Sequence, residues 1–433
     1  MSKRNKTLFI ILLIALAILA FFWLTREKPG TLAPGETPST NFWQQFNPFK
    51  PSPPPGPTDT PGTDVPTSPE QTQELRLRKV SSMPVAGYIA YQKERYKEVP
   101  VVAPGVENPP VGQPTPPQTE FVPALRYAAR ATGNIYQTFA DKIDERKFTG
   151  TLVPRVYEAY FGNSGEAVIM RRLKADERTI EIFVGALPKE VLGGDTSEDN
   201  EVSGTFLPDN ITDISVSPDS LKIFYLYGAG GNAFGITSGV LGDKKVQVFD
   251  SPFTEWLALW PSVKMIVLTT KPSGAVPGYV YALNPDSKSL AKILGGINGL
   301  TALGSPNGKL ILYGDSSLSL SIYDLETRSS IALGARTLPE KCVWNKGNTT
   351  IYCAVPKSAP GALYPDSWYR GEISFNDDIW KIDAETGSGA VILEPGAEPG
   401  GEETDGIKLL LDENENYLFF VNKSDSYLWE MKL

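Results

Sequence analysis

The chain has 433 residues, of which 41% are hydrophobic, and a formal net charge of -9. It contains no histidine, which excludes histidine-dependent triads, histidine general bases and histidine metal ligands. The acidic balance argues against nucleic-acid binding, because phosphate backbones attract basic surfaces. The 39 glycines and 37 prolines indicate a fold with many turns.

The N-terminal segment has the pattern of a membrane signal. Residues 7–25 carry no charge and, at about 1.5 Å per residue, nearly match the ~30 Å hydrocarbon core of a bilayer. Lys3, Arg4 and Lys6 precede this span and favour a cytoplasmic N-terminus. We therefore predict a cytoplasmic stub at residues 1–6 and an uncleaved, single-pass transmembrane signal-anchor helix at residues 7–25. A cleaved signal peptide is the alternative, and in both cases the rest of the chain is exported.

Residues 26–73 are rich in proline, in runs such as PSPPPGPTDTPGTDVPTSPE. Such a segment cannot bury enough apolar surface to fold, so it is predicted to be a disordered, extended stalk. One aromatic stretch, NFWQQFNPF at residues 41–49, interrupts its polarity. That stretch is interpreted either as a patch resting on the bilayer or the folded domain, or as a docking peptide for a partner.

The remaining chain, residues 74–433, consists of short apolar runs separated by Gly, Pro, Asn and Asp, which is typical of β-strands and turns. The turns of ISVSPDSLKIFYLYG and TALGSPNGKLILYG are alike. Four antiparallel strands repeated in this way predict propeller blades, because one four-stranded blade cannot bury either face alone. Six such pairs of runs begin at Val156, Ile214, Leu257, Thr301, Cys342 and Leu409.

The number of blades depends on the two ends of this region. Residues 84–92, a proline-rich insertion at 99–123 and the runs after it make an irregular first blade. The last blade, from Ile407, has three strands, and the unassigned run at 74–82 can supply its fourth. The sequence therefore predicts an all-β, monomeric seven-bladed β-propeller closed by strand 74–82, with six or eight blades as alternatives.

The Ser-Pro turns and the closing strands at residues 281–284 and 323–325 resemble those of WD40-like and TolB-like bacterial propellers. The N-terminal anchor, the stalk and the segments at 130–137, 154–161 and 368–380 resemble a group of uncharacterised membrane-anchored bacterial propeller proteins. That resemblance implies a propeller fold and an extracytoplasmic address, without an established activity.

Cys342 and Cys353 are the only cysteines. They are equidistant from a turn centred on Gly347 and Asn348, so they face each other across the predicted hairpin. Opposed Cα atoms in an antiparallel pair lie about 4.5 or 5.5 Å apart, which is within the range of a disulfide. We predict a disulfide, with two buried free thiols as the alternative.

The stretch APGALYPDSWYRGEISFNDDIW, residues 359–380, is predicted to be a long insertion in the sixth blade. Its aromatic residues and arginine are types that dominate binding hot spots. The predicted binding residues are Trp368, Tyr369, Arg370, Asp377 and Asp378, placed near the central channel. The alternative is an insertion that packs over its own blade, with Arg370 paired to a carboxylate.

Motifs for catalysis or cofactor binding are not recognisable in the sequence. DENEN, at residues 412–416, begins like a calcium loop, but its sixth and twelfth positions are Tyr417 and Lys423 instead of glycine and glutamate. It also falls where the turn between the first two strands of the last blade belongs. No catalytic residue, metal site or cofactor is therefore predicted, although paired carboxylates in the propeller funnel are left open.

These observations predict a membrane-tethered, extracytoplasmic propeller that acts as a non-catalytic binding platform at the cell envelope. Its partner would be an envelope or surface protein, or a cell-wall polymer. Two alternatives stay open: a carbohydrate-active enzyme that uses funnel carboxylates, and a purely structural envelope scaffold.

Overall fold

Seven four-stranded antiparallel sheets make up the computed structural model, which describes residues 75–97, 117–142, 144–192, 200–209 and 211–433. The first three sheets in chain order contain β2 Val85–Tyr96, β3 Thr119–Ala129, β4 Ile135–Phe139 and β5 Arg146–Lys147; β6 Val156–Gly162, β7 Ala167–Leu173, β8 Ile180–Ala186 and β9 Ser203–Phe206; and β10 Ile211–Val216, β11 Lys222–Ala229, β12 Asn232–Gly239 and β13 Val246–Ser251.

The next three sheets contain β14 Trp256–Ser262, β15 Met265–Thr270, β16 Pro277–Leu283 and β17 Leu290–Asn298; β18 Thr301–Gly304, β19 Leu310–Gly314, β20 Ser319–Asp324 and β21 Ser330–Arg336; and β22 Cys342–Trp344, β23 Thr350–Pro356, β24 Asp377–Asp383 and β25 Gly389–Leu393. The last sheet contains β26 Gly406–Leu411, β27 Tyr417–Asn422, β28 Leu428–Lys432 and β1 Leu77–Lys79. The only α-helix among the described residues is the single turn α1, Asp366–Tyr369, and short 3-10 turns lie at Asn163–Gly165, Pro339–Lys341 and Pro395–Ala397.

The repeated Ser-Pro segments form the same turn twice. Ser217 Oγ accepts the backbone N–H five residues further on, at 2.9 Å, and donates to the Asp219 carboxylate at 2.5 Å. Ser305 does the same, with an N–H···O distance of 2.9 Å and a 2.7 Å bond to Asn307. Gly308, at φ +71°, takes the left-handed conformation that ends the second turn. The serine hydroxyl thus fixes the hairpin between the first and second strands of a blade.

The first strands of the sheets lie at the centre of the ring. β2, β6, β10, β14 and β18 contact one another in this order, and β22 contacts β26, which contacts β2. The backbones approach closely there: a Cβ added to Gly87 in β2 would lie 1.9 Å from the carbonyl oxygen of Ala159 in β6. The prediction of an all-β seven-bladed propeller is confirmed.

The seventh blade takes its outermost strand from the other end of the chain. β1 pairs with β28, and Leu77 lies opposite Met431. Blade 7 then packs on blade 1 through a cluster that includes Leu125, Tyr127 and Phe419. Each of the six other seams between neighbouring blades has its own cluster of buried apolar side chains. Each sheet therefore hides both faces against its neighbours, as the propeller arrangement requires.

The predicted insertion at residues 99–123 was too long. β2 continues to Tyr96, and β3 begins at Thr119, so the two strands form an extended hairpin. Pro123 lies inside β3 opposite Gln92, and its carbonyl oxygen accepts the N–H of Ala140. The sequence pattern assigned Pro123 to a loop because proline has no N–H to donate. A strand can accommodate a proline at a position where only its carbonyl oxygen is hydrogen-bonded.

The predicted stub, signal-anchor helix and stalk, residues 1–73, lie outside the described residues. Within the part of the chain that the structure describes, no helix has the length and apolar character needed to cross a bilayer.

Candidate functional site

The insertion in blade 6 forms a cap over the edge of the ring, which we define as residues 357–376, between β23 and β24. Its helix α1 places Trp368 with only 5% of its surface exposed. The indole stacks on Phe375 at a centroid distance of 6.3 Å and belongs to a cluster with Leu318 and Leu338. The cap therefore packs on blade 5 as well as on its own blade.

The five predicted binding residues do not form one exposed surface. Trp368 and Asp377 are buried, and Asp377 and Asp378 belong to β24, so the insertion ends earlier than predicted. Asp378 pairs with Lys357 at 3.1 Å. The five residues therefore lie in three different places. Trp368 is in the core of the cap, Asp377 and Asp378 are in strand β24, and Tyr369 and Arg370 lie at the edge of the cap, which we call its rim.

Tyr369 and Arg370 form that rim. Arg370 pairs with Glu372 at 2.6 Å on the surface, as the alternative interpretation of the insertion expects. Tyr369 is 39% exposed, and its hydroxyl donates to Glu340 Oε1. Of the five predicted residues, Tyr369 is the one that contacts a residue of the central cavity, Glu340. A binding role for the five residues stays a prediction.

A fully buried charge cluster ties the cap to the ring. Lys341, Asp377 and Asp405 have no exposed side-chain surface. The Lys341 ammonium lies 2.7 Å from Asp377 Oδ2 and also donates to Asp405 Oδ1. Asp405 Oδ2 accepts the Trp368 indole N–H at 2.9 Å and the Phe375 N–H at 3.1 Å. Its position between ring and cap indicates that this cluster holds the cap in place.

The two carboxyls of this cluster differ in their pKa. Burial raises the pKa of Asp377 to about 6, although the charge of Lys341 opposes this. Burial would also raise the pKa of Asp405, but the charge of Lys341 and hydrogen bonds from Lys341, Phe375 and Trp368 bring it below its usual value. One ammonium thus faces one firmly ionised carboxylate and a second that protonates in mild acid.

The two cysteines lie beside this cluster in blade 6. Cys342 of β22 lies directly opposite Cys353 of β23, with Cα atoms 4.1 Å apart, and the structure joins them in a disulfide. Both side chains are buried in the apolar cluster between blades 5 and 6.

A cavity of 190 Å³ lies at the centre of the ring. Its walls come from the first strands of four consecutive blades and from the turn that precedes the first strand of the sixth blade. The lining residues used below are Tyr160 of β6, Asp213 of β10, Leu257 and Leu259 of β14, Thr301 of β18, and Glu340.

Asp213 reaches this cavity from a β-bulge. The register of β10 against β11 shifts between Ile211 and Asp213, and a bulge redirects the side chains that follow it. The backbone N–H of Ala258 in the next blade donates to Asp213 Oδ2 at 2.6 Å. Burial raises the pKa of Asp213 to about 6, although the Ala258 N–H and the charge of Arg171 lower it.

Glu340 also lines the cavity. Its Oε1 accepts the Tyr369 hydroxyl proton, whereas its Oε2 is buried without a hydrogen bond of ordinary geometry. Thr301, only 1% exposed, lies against the Glu340 carboxyl, and a hydrogen bond from its hydroxyl lowers the pKa of Glu340. Burial dominates and raises the pKa of Glu340.

A third carboxylate, Glu158, lies near the cavity but is neutralised. Arg171 donates to Glu158 Oε2 at 2.5 Å, and the ammonium of Lys408 lies 3.7 Å from Oε1. Lys408 also donates to the carbonyl oxygen of Ala86 at 2.9 Å, and burial lowers its pKa. Glu158 and Lys408, like Asp213, lie at register shifts in the first strands of their blades.

DENEN forms the turn between β26 and β27, where the sequence placed it. Asp412 is buried, and its carboxylate accepts the backbone N–H groups of Tyr417 at 2.6 Å and Asn414 at 3.0 Å. These bonds account for an aspartate at the start of this turn.

No family model matches the sequence, and no curated protein matches it. Solved structures similar to this chain include an oligogalacturonate lyase in complex with manganese, at 9% identity and a TM-score of 0.47, covering 72% of this chain and 85% of that one. An oligogalacturonate lyase from Vibrio parahaemolyticus has 10% identity and a TM-score of 0.45, covering 71% and 85%. A functionally unknown protein from Desulfotomaculum acetoxidans has 12% identity and a TM-score of 0.44, covering 72% and 89%.

Proposed function

We propose that this chain is a non-catalytic binding protein of the cell envelope that captures its partner at the centre of the propeller. Residues 7–25 hold it in the membrane with the N-terminus in the cytoplasm, and residues 26–73 set the distance to the bilayer. The extracytoplasmic propeller, rimmed by the cap, presents the site to an envelope protein, a surface protein or a cell-wall polymer.

The observation that carries this proposal is the pair of carboxyls in the wall of the central cavity. Asp213 and Glu340 both line this cavity, and among the described residues neither has an ion-pair partner of its own. Such a carboxyl is costly to keep in a wall with a purely structural role, which favours a binding site over a purely structural scaffold.

Site-directed photo-crosslinking in native membranes tests the proposal. The photo-reactive residue p-benzoyl-phenylalanine replaces Arg370 on the rim of the cap, next to Tyr369. The matched control carries it at Val263, which is 57% exposed in the turn between β14 and β15, at the opposite end of the blade. We expect a defined adduct from position 370 and none from position 263. Equal labelling at both positions, or none at either, would support the scaffold alternative instead.

One observation favours the enzyme alternative. Asp213 and Glu340 share one cavity, and burial raises the pKa of both, which is an arrangement that general acid–base catalysis uses. Incubation of the purified chain with envelope glycans, followed by mass analysis, tests it. New fragments that disappear with Asp213→Asn and Glu340→Gln would establish catalysis, and unchanged glycans would leave binding as the function.

A further inference from the structure

Two carboxyls in the wall of the central cavity, Asp213 and Glu340, lack an ion pair of their own within the described part of the chain. Among the described residues, no lysine or arginine nitrogen lies within ion-pair distance of Asp213 or Glu340. The nearby cations make their ion pairs elsewhere: Arg171 and Lys408 with Glu158, and Lys341 with Asp377 and Asp405. Arg171 and Lys341 act on Asp213 and Glu340, respectively, only through their charge, without direct contact. A buried carboxylate without a cationic partner is costly, so this arrangement favours a ligand that brings its own positive charge.

The rest of the cavity wall fits an ammonium group on an alkyl chain. Asp213 and Glu340 supply carboxyl acceptors for the N–H donors of a primary ammonium. The ring of Tyr160 also lines the cavity, and the Lys408 ammonium lies 5.8 Å from its centroid. Leu257 and Leu259 supply apolar surface for the carbon chain.

The size of the cavity sets a further limit. Its 190 Å³ corresponds to about six water molecules at about 30 Å³ each, and it is smaller than the roughly 300 Å³ at which pockets for drug-sized ligands begin. It therefore admits a short chain with a terminal charge, and of a larger partner only a projecting side group would enter it.

We propose that the central cavity binds a primary alkylammonium group, with Asp213 and Glu340 as its anionic partners. This proposal deepens the proposed function and rests on it. The same chemistry is present in a free small amine and at the end of a lysine-type side chain of an envelope protein or peptide. No covalent step is involved.

Binding of the ammonium group should weaken in mild acid. Asp213 must be ionised to attract the ligand, and burial raises its pKa to about 6. The charged and titratable groups that face the two carboxyls are Arg171, Glu158, Tyr157, Tyr160 and Tyr369 around Asp213, and Tyr369 and Lys341 around Glu340. A primary amine remains charged throughout this range, so the affinity should fall about tenfold between pH 7.5 and pH 5.

Calorimetric titration of the full chain in detergent tests the proposal with two matched pairs of probes. Butylamine is compared with butanol, and Nα-acetyl-lysine amide with Nα-acetyl-norleucine amide, which lacks the ammonium. We expect the amines to bind and the neutral partners not to bind. Binding of butylamine alone identifies a free amine as the ligand, and binding of both amines identifies a side chain.

Two variants and a control locate the site. Asp213→Asn and Glu340→Gln should each weaken butylamine binding at least tenfold, whereas Glu372→Gln, which changes a carboxylate on the surface of the cap, should leave it unchanged. Equal binding of butanol and butylamine by the wild-type chain would overturn the proposal. This comparison does not depend on whether the variants fold. Defined crosslinks at position 370 without amine binding would overturn only the proposal that the ligand is an alkylammonium group. Absence of both the crosslinks and the amine binding would overturn the proposed binding function as well.

Discussion

The hydroxyl of Tyr369, at the end of the cap helix, donates its proton to Glu340 in the wall of the central cavity. This bond connects an insertion of the sixth blade to a residue that precedes the first strand of that blade. Burial is the largest cause of the raised pKa of the Tyr369 hydroxyl, followed by the charge and hydrogen bond of Glu340, and the charge of Asp213 on the third blade adds a smaller contribution. The cap thus contacts the cavity wall through Glu340, a residue that lines the cavity.

Removing this hydroxyl should loosen the cap. We expect Tyr369→Phe to lower the free energy of unfolding by about 1–2 kcal/mol at pH 8, because a hydrogen bond to an ionised acceptor is lost. The loss should shrink at pH 4, where Glu340, whose pKa burial raises, is protonated. Urea unfolding at both pH values measures it. Tyr313→Phe, which loses a surface bond to Ser330, is the control, and an equal effect of the two variants would contradict the assignment.

Asp213→Asn should stabilise the chain while it removes a ligand group. The folded-state pKa of Asp213, about 6, lies above its ordinary value of 3.8, so the folded state binds more protons between these values than the unfolded state does. The native carboxylate therefore costs stability as pH rises from about 4 to about 6, up to roughly 3 kcal/mol at neutral pH. We expect the variant to be more stable than wild type at pH 8 and equal to it at pH 3.

Unfolding curves across this pH range test that expectation. Asp209→Asn, at a surface carboxylate 3.4 Å from Lys174, is the control and should leave stability nearly unchanged. A variant that is less stable than wild type at pH 8 would mean that the Asp213 carboxylate is satisfied within the protein. It would then lose its place in the ligand site.

Local chemistry in the sequence was enough to predict the propeller. The Ser-Pro turns fix hairpins through bonds that span only a few residues, as at Ser217 and Ser305. The count of apolar runs then gives the number of blades. Because the last blade has only three strands, its fourth strand is expected from the start of the domain. β1 occupies that position.

The central site could not be predicted in the same way. Asp213, Glu158 and Lys408 lie at bulges in the first strands, and a bulge interrupts the alternation from which a sequence pattern is interpreted. Lys341 and Asp405 meet because two connections between blades converge with the cap, and their spacing in the sequence carries no signal of this. The aromatic residues of the insertion suggested a binding surface, whereas Trp368 fills a core.

The buried cluster of Lys341, Asp377 and Asp405 should be strongly sensitive to loss of its ammonium. Lys341→Met leaves two buried carboxylates without a cation, and we expect it to lower the free energy of unfolding by about 3–5 kcal/mol at pH 8. The loss should be smaller at pH 5, because Asp377, with a pKa of about 6, is then protonated. Lys357→Met, at a surface ion pair with Asp378, is the matched control and should cost less than about 1 kcal/mol.

The Cys342–Cys353 disulfide should be present in the purified protein and should contribute to stability. The two residues are 11 positions apart, and closing a loop of that size corresponds to about 3 kcal/mol in the chain-entropy treatment. Under denaturing conditions, we expect no iodoacetamide label before reduction and two labels after it, with a gain of two hydrogens in intact mass on reduction. Chain purified without reductant that takes two labels at once would show that the thiols are free. The pair would then contribute only as small buried side chains between blades 5 and 6.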